Sequence, residues 1–353
     1  MKRHVSDKEH FTLLRMLDEF ARSEGLSIED EITCNQFIAL LSLKVQKHRK
    51  NPALVHGFRV ESMFAHLAAA LGESQIINEE DSGVFFSIDG EIRRPDFRIL
   101  TRSGDQFFVE VKNFHPTNPH DPYRVKGDYL SRLCAYAESF KVPLKLAIYW
   151  SPWNLWSLVD VNHFYRIDSD FQISLPDAMK RNEMISVGDC MIGTVPPLSL
   201  RLYADPRKPR LLDENGNVSF TIGRAVMCAG EEEISDRLES KLAWFFMLYG
   251  KWNEVDQPAK IVDGLLEYTE IAMEPLEFDH KQGFAMLGFL SEMISKHYNH
   301  LTSKDGVIRR LIPEQQPDQL SVLIPPDYRG KVLRLWRFKQ KPNYEDILKQ
   351  NSS

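Results

Sequence analysis

Charged side chains inside apolar segments constrain the fold of this chain more than any other feature. Residues 94–114 hold an apolar run that opens with Pro95-Asp96, then a polar turn, then a second apolar run that carries Glu110 and Lys112. Thirteen residues separate Asp96 from Glu110. The two apolar runs predict strands. Because a buried charge is costly unless it is paired or binds a metal, we expect the charged residues on these strands to form ion pairs or to bind a metal.

Glu110 and Lys112 face the same side of the predicted strand, because strand side chains alternate with a period of two. Converging carboxylates of Asp96 and Glu110 can hold a hard cation such as Mg²⁺, and the Val111 carbonyl can supply a further oxygen ligand. Such an ion lowers the pKa of bound water, while Lys112 orients that water or stabilises the transition state. The pattern indicates metal-assisted phosphodiester hydrolysis. The alternative is a plain Glu110–Lys112 ion pair on a half-exposed strand.

Length and composition are those of an ordinary globular protein. A chain of 353 residues favours two or three domains, and its net charge of -6 does not exclude a nucleic-acid partner, because local patches matter more than the sum. The cysteines form no CxxC pair, so we expect neither a zinc site nor a disulfide framework, and we expect a cytoplasmic protein. We find no signal peptide and no apolar run near the ~20 residues of a membrane span.

Periodicity divides the chain into three parts. Residues 1–53 predict a helical segment, residues 54–170 an α/β domain that carries the Asp96, Glu110 and Lys112 motif, and residues 171–353 an α+β region that binds substrate or a partner. In the middle part we predict helices at 59–71 and 123–140, strands at 83–88, 95–100, 107–114 and 143–150, and a turn at Asp89-Gly90. In the last part we predict short strands within 184–226 and helices near 234–252, 259–271 and 284–298.

The order helix, three strands, helix, strand, with Pro-Asp and Glu-x-Lys on neighbouring strands, resembles the PD-(D/E)xK nucleases. These are the restriction-endonuclease-like phosphodiesterases, and the resemblance covers about residues 54–165. It implies that residues 54–170 form a nuclease-like domain. It implies an α/β core with a mixed four-stranded sheet flanked by helices. It also implies that Asp96 and Glu110 hold Mg²⁺ or Mn²⁺ and that Lys112 is the catalytic lysine. Glu61, on the preceding helix, matches a position where many members carry an acidic residue; a surface glutamate is the alternative.

The helix after the triplet is another place where such nucleases keep functional side chains. Several subfamilies show Gln-x-x-x-Tyr there, whereas this chain has Arg132-x-x-x-Tyr136, which leaves the subfamily open. Lys126 and Arg132 are candidates for phosphate contacts. We predict that Tyr129 and Tyr136 are packing residues.

A basic and aromatic stretch lies near the end of the sequence. In residues 328–341, six basic residues, Arg334 and Arg337 among them, alternate with Tyr328, Trp336 and Phe338. Basic side chains bind phosphates and aromatic rings stack on bases, which predicts a nucleic-acid contact. An edge strand with protective charge explains the same residues.

These patterns favour a metal-dependent nuclease that acts on DNA rather than RNA. The resemblance implies a role in phage defence, restriction, repair or mobile-element processing. One alternative is a non-catalytic nucleic-acid-binding or assembly subunit on the same fold, which would bind without turnover. Another is an α/β scaffold in which the motif is accidental and the two carboxylates lie too far apart for one ion. A homodimer and a protein partner in a larger complex both stay open.

Overall fold

The structure, a computed structural model, describes residues 9–81, 85–88, 91–255, 259–275, 281–314, 324–325 and 327–344. Its α-helices are α1 (Glu9–Glu24), α2 (Glu31–His48), α3 (Pro52–Leu71), α4 (Gly127–Phe140), α5 (Leu175–Lys180), α6 (Arg237–Tyr249) and α7 (Leu290–Thr302). Its strands are β1 (Ser74–Glu79), β2 (Phe97–Thr101), β3 (Gln106–Phe114), β4 (Tyr123–Val125), β5 (Leu144–Trp150), β6 (Leu155–Asp160), β7 (Tyr165–Ile167), β8 (Asp170–Ile173), β9 (Met191–Thr194), β10 (Leu198–Ala204), β11 (Ile222–Ala229), β12 (Glu232–Glu233), β13 (Asn253–Glu254), β14 (Ala259–Val262), β15 (Leu265–Glu274), β16 (Ala285–Phe289), β17 (Ser303–Lys304), β18 (Val307–Ile308) and β19 (Leu335–Phe338). Among the helices of these ranges, none is both long and apolar enough to cross a membrane.

A five-stranded mixed sheet carries the predicted motif. Its order is β1-β2-β3-β5-β6, with β3 parallel to β5 and the other neighbours antiparallel. Side-chain alternation along β3 divides the two faces. Phe107 and Val109 pack with α3 in one apolar cluster, whereas Phe108 packs with α4 in a second. By the same alternation, Glu110 and Lys112 belong to the face that α4 covers.

Helix α3 has clear sequence signals at both ends. Pro52 stands in its first turn, and the side chain of Asn51 accepts a hydrogen bond from the Leu54 amide at 3.3 Å. Both features are typical of a helix start. Gly72 ends the helix with φ of 91°, a left-handed conformation that favours glycine. The buried face of the helix carries Val60, Met63, Phe64 and Leu67.

The C-terminal part of the chain packs against this first sheet. Strands β10, β11 and β15 form the centre of a six-stranded sheet, and α7 contacts both α3 and β6. Nε of Arg59 donates to Oγ1 of Thr302 at 3.1 Å, and the Trp156 indole donates to Oγ of Ser295 at 2.9 Å. One apolar cluster includes residues on both sides of residue 170. The division into residues 1–53, 54–170 and 171–353 stays a prediction.

The motif sheet differs from the predicted one in two respects. It has five strands rather than four, because β6 pairs antiparallel with β5. Its first strand is β1, whereas we predicted residues 83–88. The described part of that segment, residues 85–88, is not a strand, and the Asp89-Gly90 turn lies outside the described residues. Strand β1 contains Ile76 and Ile77 within an otherwise polar sequence, so its apolar signal was weak.

One helix prediction in the C-terminal part was wrong, and another placed the start of its helix too early. Residues 259–271 form strands β14 and most of β15, and residues 284–298 contain strand β16 before α7 begins. Leu266, Glu270 and Ala272 are the buried positions of β15, all at even spacing, which is the strand period. Glu270 is paired with Arg201 of β10 at 3.0 Å, so a charged residue occupies an inward position of the strand. That buried ion pair obscured the strand pattern.

Candidate active site

Asp96 directly precedes β2, and Glu110 lies on the neighbouring strand β3. The last pair of the antiparallel ladder is Phe97 and Val109, and extending this register by one residue brings Asp96 opposite Glu110. The Val111 amide donates a hydrogen bond to Oδ2 of Asp96 at 2.6 Å. Because directly opposite residues of antiparallel strands project to the same face, the two carboxylates share one side of the sheet.

Glu110 is the most buried member of the site, with 1% of its surface exposed. Its Oε1 accepts a hydrogen bond from Nζ of Lys112 at 2.5 Å and another from the hydroxyl of Tyr129. Its Oε2 is buried and has no hydrogen-bond partner among the described residues. An unsatisfied buried carboxylate oxygen costs free energy, so such an atom is a candidate ligand for a cation.

Lys112 is held in place from two sides. Its Nζ contacts Glu110 and also donates to the Tyr129 hydroxyl at 3.0 Å, 5.0 Å from the centre of the Tyr129 ring. Burial alone would lower the pKa of Lys112, but the charge of Glu110 and the contact with Tyr129 raise it above its ordinary value. Lys112 therefore carries its positive charge at neutral pH.

Several carboxylates raise one another's pKa around this point. Burial and the charge of Glu110 raise the pKa of Asp96 to about 8, although the Val111 amide and Lys112 oppose the shift. Burial, followed by the charge of Asp81, raises the pKa of Glu61, to which Glu110 also contributes. Burial and Glu110 likewise raise the pKa of Asp81. A bound cation would relieve this accumulation of negative charge.

The oxygen atoms of the site suit a hard cation with a small number of protein ligands. In the part of the chain that the structure describes, no three His, Cys, Asp or Glu side chains are arranged to hold a metal ion. Two carboxylates, Asp96 and Glu110, are nevertheless adjacent, and Mg²⁺ is often bound by one or two carboxylates plus substrate phosphates. The Val111 amide points to the Asp96 side of β3, and its carbonyl shares that side because the two groups of one strand residue point the same way.

The residues predicted to contact nucleic acid differ in their environments. Lys126 is exposed and is the N-cap residue of α4. Arg132 forms ion pairs with Glu91, at 3.2 Å, and with Asp128. Their proposed phosphate contacts stay predictions.

Arg337 lies on a different sheet from the carboxylates, and Arg334 directly precedes the same strand, β19. Strand β19 is an edge strand beside β9, and the Arg334 side chain is exposed. Nη1 of Arg337 donates to the Pro325 carbonyl at 3.2 Å. Trp336 stacks on Phe284, with ring centroids 4.8 Å apart, so packing within the protein uses one face of this ring. The position of β19 at the edge of its sheet agrees with the alternative in which its charged residues protect an edge strand. Contact of Arg334 and Arg337 with nucleic acid stays a prediction.

Three residues of the site were not identified from the sequence. Tyr129 packs as predicted, but its hydroxyl also contacts both Glu110 and Lys112. Asp81 ends a run of three acidic residues that begins at the last residue of β1, a signal that could have been noted. The guanidinium of Arg93 lies over the Tyr129 ring at 4.6 Å. Its only sequence signal was its nearness to Asp96.

Comparisons with known proteins give a weak structural likeness. No protein-family model matches the chain, and no curated protein does. Among solved structures it is similar to Hjc, a Holliday junction resolvase from the archaeal hyperthermophile Archaeoglobus fulgidus. The two chains are 19% identical, the match covers 32% of this chain and 84% of that chain, and the TM-score is 0.26. A likeness of this extent establishes neither the fold nor the activity of this chain.

Proposed function

We propose that this chain is a metal-dependent nuclease with a restriction-endonuclease-like core that hydrolyses phosphodiester bonds in DNA. The observation that carries the proposal is the buried, unpartnered Oε2 of Glu110, which lies beside Lys112 and faces Asp96 across two paired strands. A structural ion pair needs one acidic and one basic residue. A second carboxylate at the facing position has no such use and adds repulsion.

The chain's own residues have distinct roles in this proposal. Asp96, Glu110 and the Val111 carbonyl would hold Mg²⁺ or Mn²⁺, and Glu61 would reach the ion directly or through water. When bound, the ion lowers the pKa of a water molecule and offsets the charge on the phosphate oxygens. Lys112 keeps a fixed positive charge beside the place where negative charge develops. Tyr129 holds Lys112 and Glu110 in one arrangement.

Basic residues near the site would contact the phosphate backbone. Arg93 is exposed and lies over Tyr129, and Lys126 is exposed at the start of α4. We add Arg93 to the candidates Lys126, Arg132, Arg334 and Arg337. Binding by such residues weakens steeply as salt rises, whatever the sequence of the nucleic acid. Phage defence, restriction, repair and mobile-element processing are the settings in which such a nuclease would act.

The test is a cleavage panel with plasmid, linear duplex, single-stranded DNA and RNA, with Mg²⁺, Mn²⁺ or EDTA. The variant Glu110→Gln keeps the shape of the side chain and removes its charge. Glu138→Gln, on the exposed face of α4, is the matched control. We expect metal-dependent cleavage of DNA by the wild type and the control, and none by Glu110→Gln. Cleavage that survives Glu110→Gln, or an inactive wild type on every substrate, would refute the proposal.

A non-catalytic nucleic-acid-binding subunit is the second candidate. It is favoured by the contacts of Glu110 Oε1, which Lys112 and Tyr129 already satisfy without any metal. In the same panel, this candidate predicts salt-sensitive binding with no product under any metal condition. Gel-shift measurements beside the cleavage assay separate the two candidates.

A further inference from the structure

The first two helices expose an unusual amount of apolar surface. Helices α1 and α2, joined by residues 25–30, form a hairpin in which Phe20 contacts Phe37 with ring centroids 5.8 Å apart. The exposed large apolar side chains of α2 are Ile32, Ile38, Leu43 and Val45, which are 67%, 56%, 65% and 55% exposed. Leu40 and Leu41 are half-buried. Exposed apolar side chains that cluster on one part of a protein surface mark an interaction site. Among the described residues, the packing of α1 against α2 leaves these four side chains exposed.

One face of α2 has the spacing of a helix-pairing seam. Cys34, Ile38, Leu41 and Val45 recur at i, i+4, i+7 and i+11, which places them in one row along the helix. We call these four residues the α2 stripe. Phe37, which meets α1, lies three residues from Cys34 and four from Leu41, so the stripe borders the face of α2 that packs against α1.

The two ends of α2 carry opposite charges. Glu29, Asp30 and Glu31 precede or begin the helix, and His48, Arg49 and Lys50 end or follow it. Asp30 is the N-cap residue but makes no side-chain capping hydrogen bond. Within the ranges that the structure describes, none of these acidic residues forms an ion pair with a basic residue of the same chain. All six side chains are exposed.

We propose that the α2 stripe is a homodimer interface, in which a second copy of this chain docks its own α2 antiparallel about a two-fold axis. An axis midway between Ile38 and Leu41 places Ile38 against the partner's Leu41. The same axis places Cys34 against the partner's Val45 and Asp30 against the partner's Arg49. It also brings Glu29 to the partner's Lys50. One symmetry operation thus aligns the apolar row and the opposite charges together.

Self-complementarity identifies the occupant as a second copy. A two-fold interface uses the same patch on both subunits, so its apolar row must match itself when reversed, and its charges must change sign between its ends. The α2 stripe meets both conditions. A stable dimer buries roughly 800 Å² on each partner. The hairpin and the start of α3 offer large apolar side chains that are 38% to 57% exposed: Leu13, Leu14, Met16, Ile28, Ile38, Val45 and Phe58. Ile32 and Leu43 lie on the opposite side of α2 from the stripe.

The oligomeric state of the full chain tests the interface independently of any nuclease activity. Sedimentation equilibrium should show a dimer for the wild type. Ile38→Asp should raise the dimer dissociation constant at least tenfold, while circular dichroism shows an unchanged helix content. Leu43→Asp introduces the same charge at a more exposed position outside the stripe and should leave the dimer intact. A monomeric wild type, or a dimer that Leu43→Asp disrupts and Ile38→Asp does not, would overturn the proposal.

Two further variants test the antiparallel direction. Val45→Cys, combined with the native Cys34, should form an intermolecular disulfide under mild oxidation. The wild type and the variant Cys34→Ser with Val45→Cys should not. Cross-linking of the wild type through Cys34 alone would indicate a parallel pairing and contradict the proposal.

A charge exchange provides a second readout of direction. Asp30→Arg and Arg49→Asp should each weaken the dimer several-fold, and their combination should restore it to within about threefold of the wild type. This pattern arises when the two positions face each other across the interface. Weakening that simply accumulates in the double variant would exclude the proposed register.

Discussion

The hydroxyl of Tyr129 donates a hydrogen bond to Oε1 of Glu110, the same oxygen that receives the ammonium group of Lys112. Tyr129 lies in the first turn of α4, whereas Glu110 lies on β3, so this contact fixes the helix to the strand at the site. With both donors on Oε1, Oε2 is left without a partner among the described residues. Tyr129 therefore determines which carboxylate oxygen stays available to a cation.

Tyr129→Phe should reduce cleavage while the protein stays folded. The variant removes a hydrogen bond to a charged group, which is worth on the order of 1.5–3 kcal/mol, so we expect a roughly ten- to hundredfold loss in kcat with a smaller change in KM. Steady-state kinetics on one DNA substrate checks this. Tyr136→Phe, on the same helix, loses a bond to Glu80 rather than to Glu110 and should retain activity. Equal losses in both variants would refute a specific role for Tyr129.

Asp96→Asn should become more stable relative to the wild type as pH rises, although it should lose cleavage activity. The folded protein raises the pKa of Asp96 to about 8, far above that of an unfolded aspartate. Between these values the native state holds a proton that the unfolded state has lost, so this carboxyl lowers stability as pH rises. Measured in EDTA, the free energy of unfolding of Asp96→Asn relative to the wild type should increase from pH 5 to pH 8.5 by roughly 1–3 kcal/mol.

The cleavage activity of the same variant should also be measured. We expect Asp96→Asn to cleave no DNA with either Mg²⁺ or Mn²⁺. A stability difference that stays constant or falls over the same pH range would show that Asp96 is not held protonated by its surroundings.

Lys112→Met should abolish most cleavage without abolishing metal binding. The variant removes the fixed positive charge near the reacting phosphate, for which a loss of about 10²-fold or more is expected. Mn²⁺ binding, measured by calorimetry, should persist. The Lys112 ammonium group, which pairs with the Glu110 carboxylate in the wild type, no longer competes with the ion for that carboxylate. Lys145→Met is the control, because Lys145 also forms an ion pair from the same sheet, with Glu183 at 2.6 Å. Loss of Mn²⁺ binding in Lys112→Met alone would contradict this role.

Asp189→Ala should destabilise the attachment of α7. The buried Asp189 carboxylate accepts hydrogen bonds from the Ser291 amide at 3.0 Å and from its hydroxyl at 2.6 Å, at the N-terminus of the helix. Its removal leaves a buried amide without its partner, so we expect a loss of about 2–3 kcal/mol in urea unfolding. Ser291→Ala removes the hydroxyl alone and should cost less. A larger cost for Ser291→Ala would mean that the helix does not depend on the carboxylate.

The sequence predicted the motif better than it predicted the surroundings. Asp96, Glu110 and Lys112 were identifiable because charged residues in apolar runs are costly and because alternation places Glu110 and Lys112 on one face. The hydroxyl contact of Tyr129 was not, because its 17-residue separation from Lys112 gives no local pattern. Strand β15 was mistaken for a helix because its inward Glu270 depends on Arg201 of another strand for its partner.

The rate of plasmid cleavage by the wild type and by Glu110→Gln, measured across a Mn²⁺ titration, tests the central claim most directly. If Oε2 of Glu110 is a metal ligand, the wild type cleaves with a saturable dependence on Mn²⁺. Glu110→Gln then stays at the background rate at every concentration, although circular dichroism shows that it is folded. Equal rates for the two proteins, or no cleavage by the wild type at any concentration, would contradict the claim.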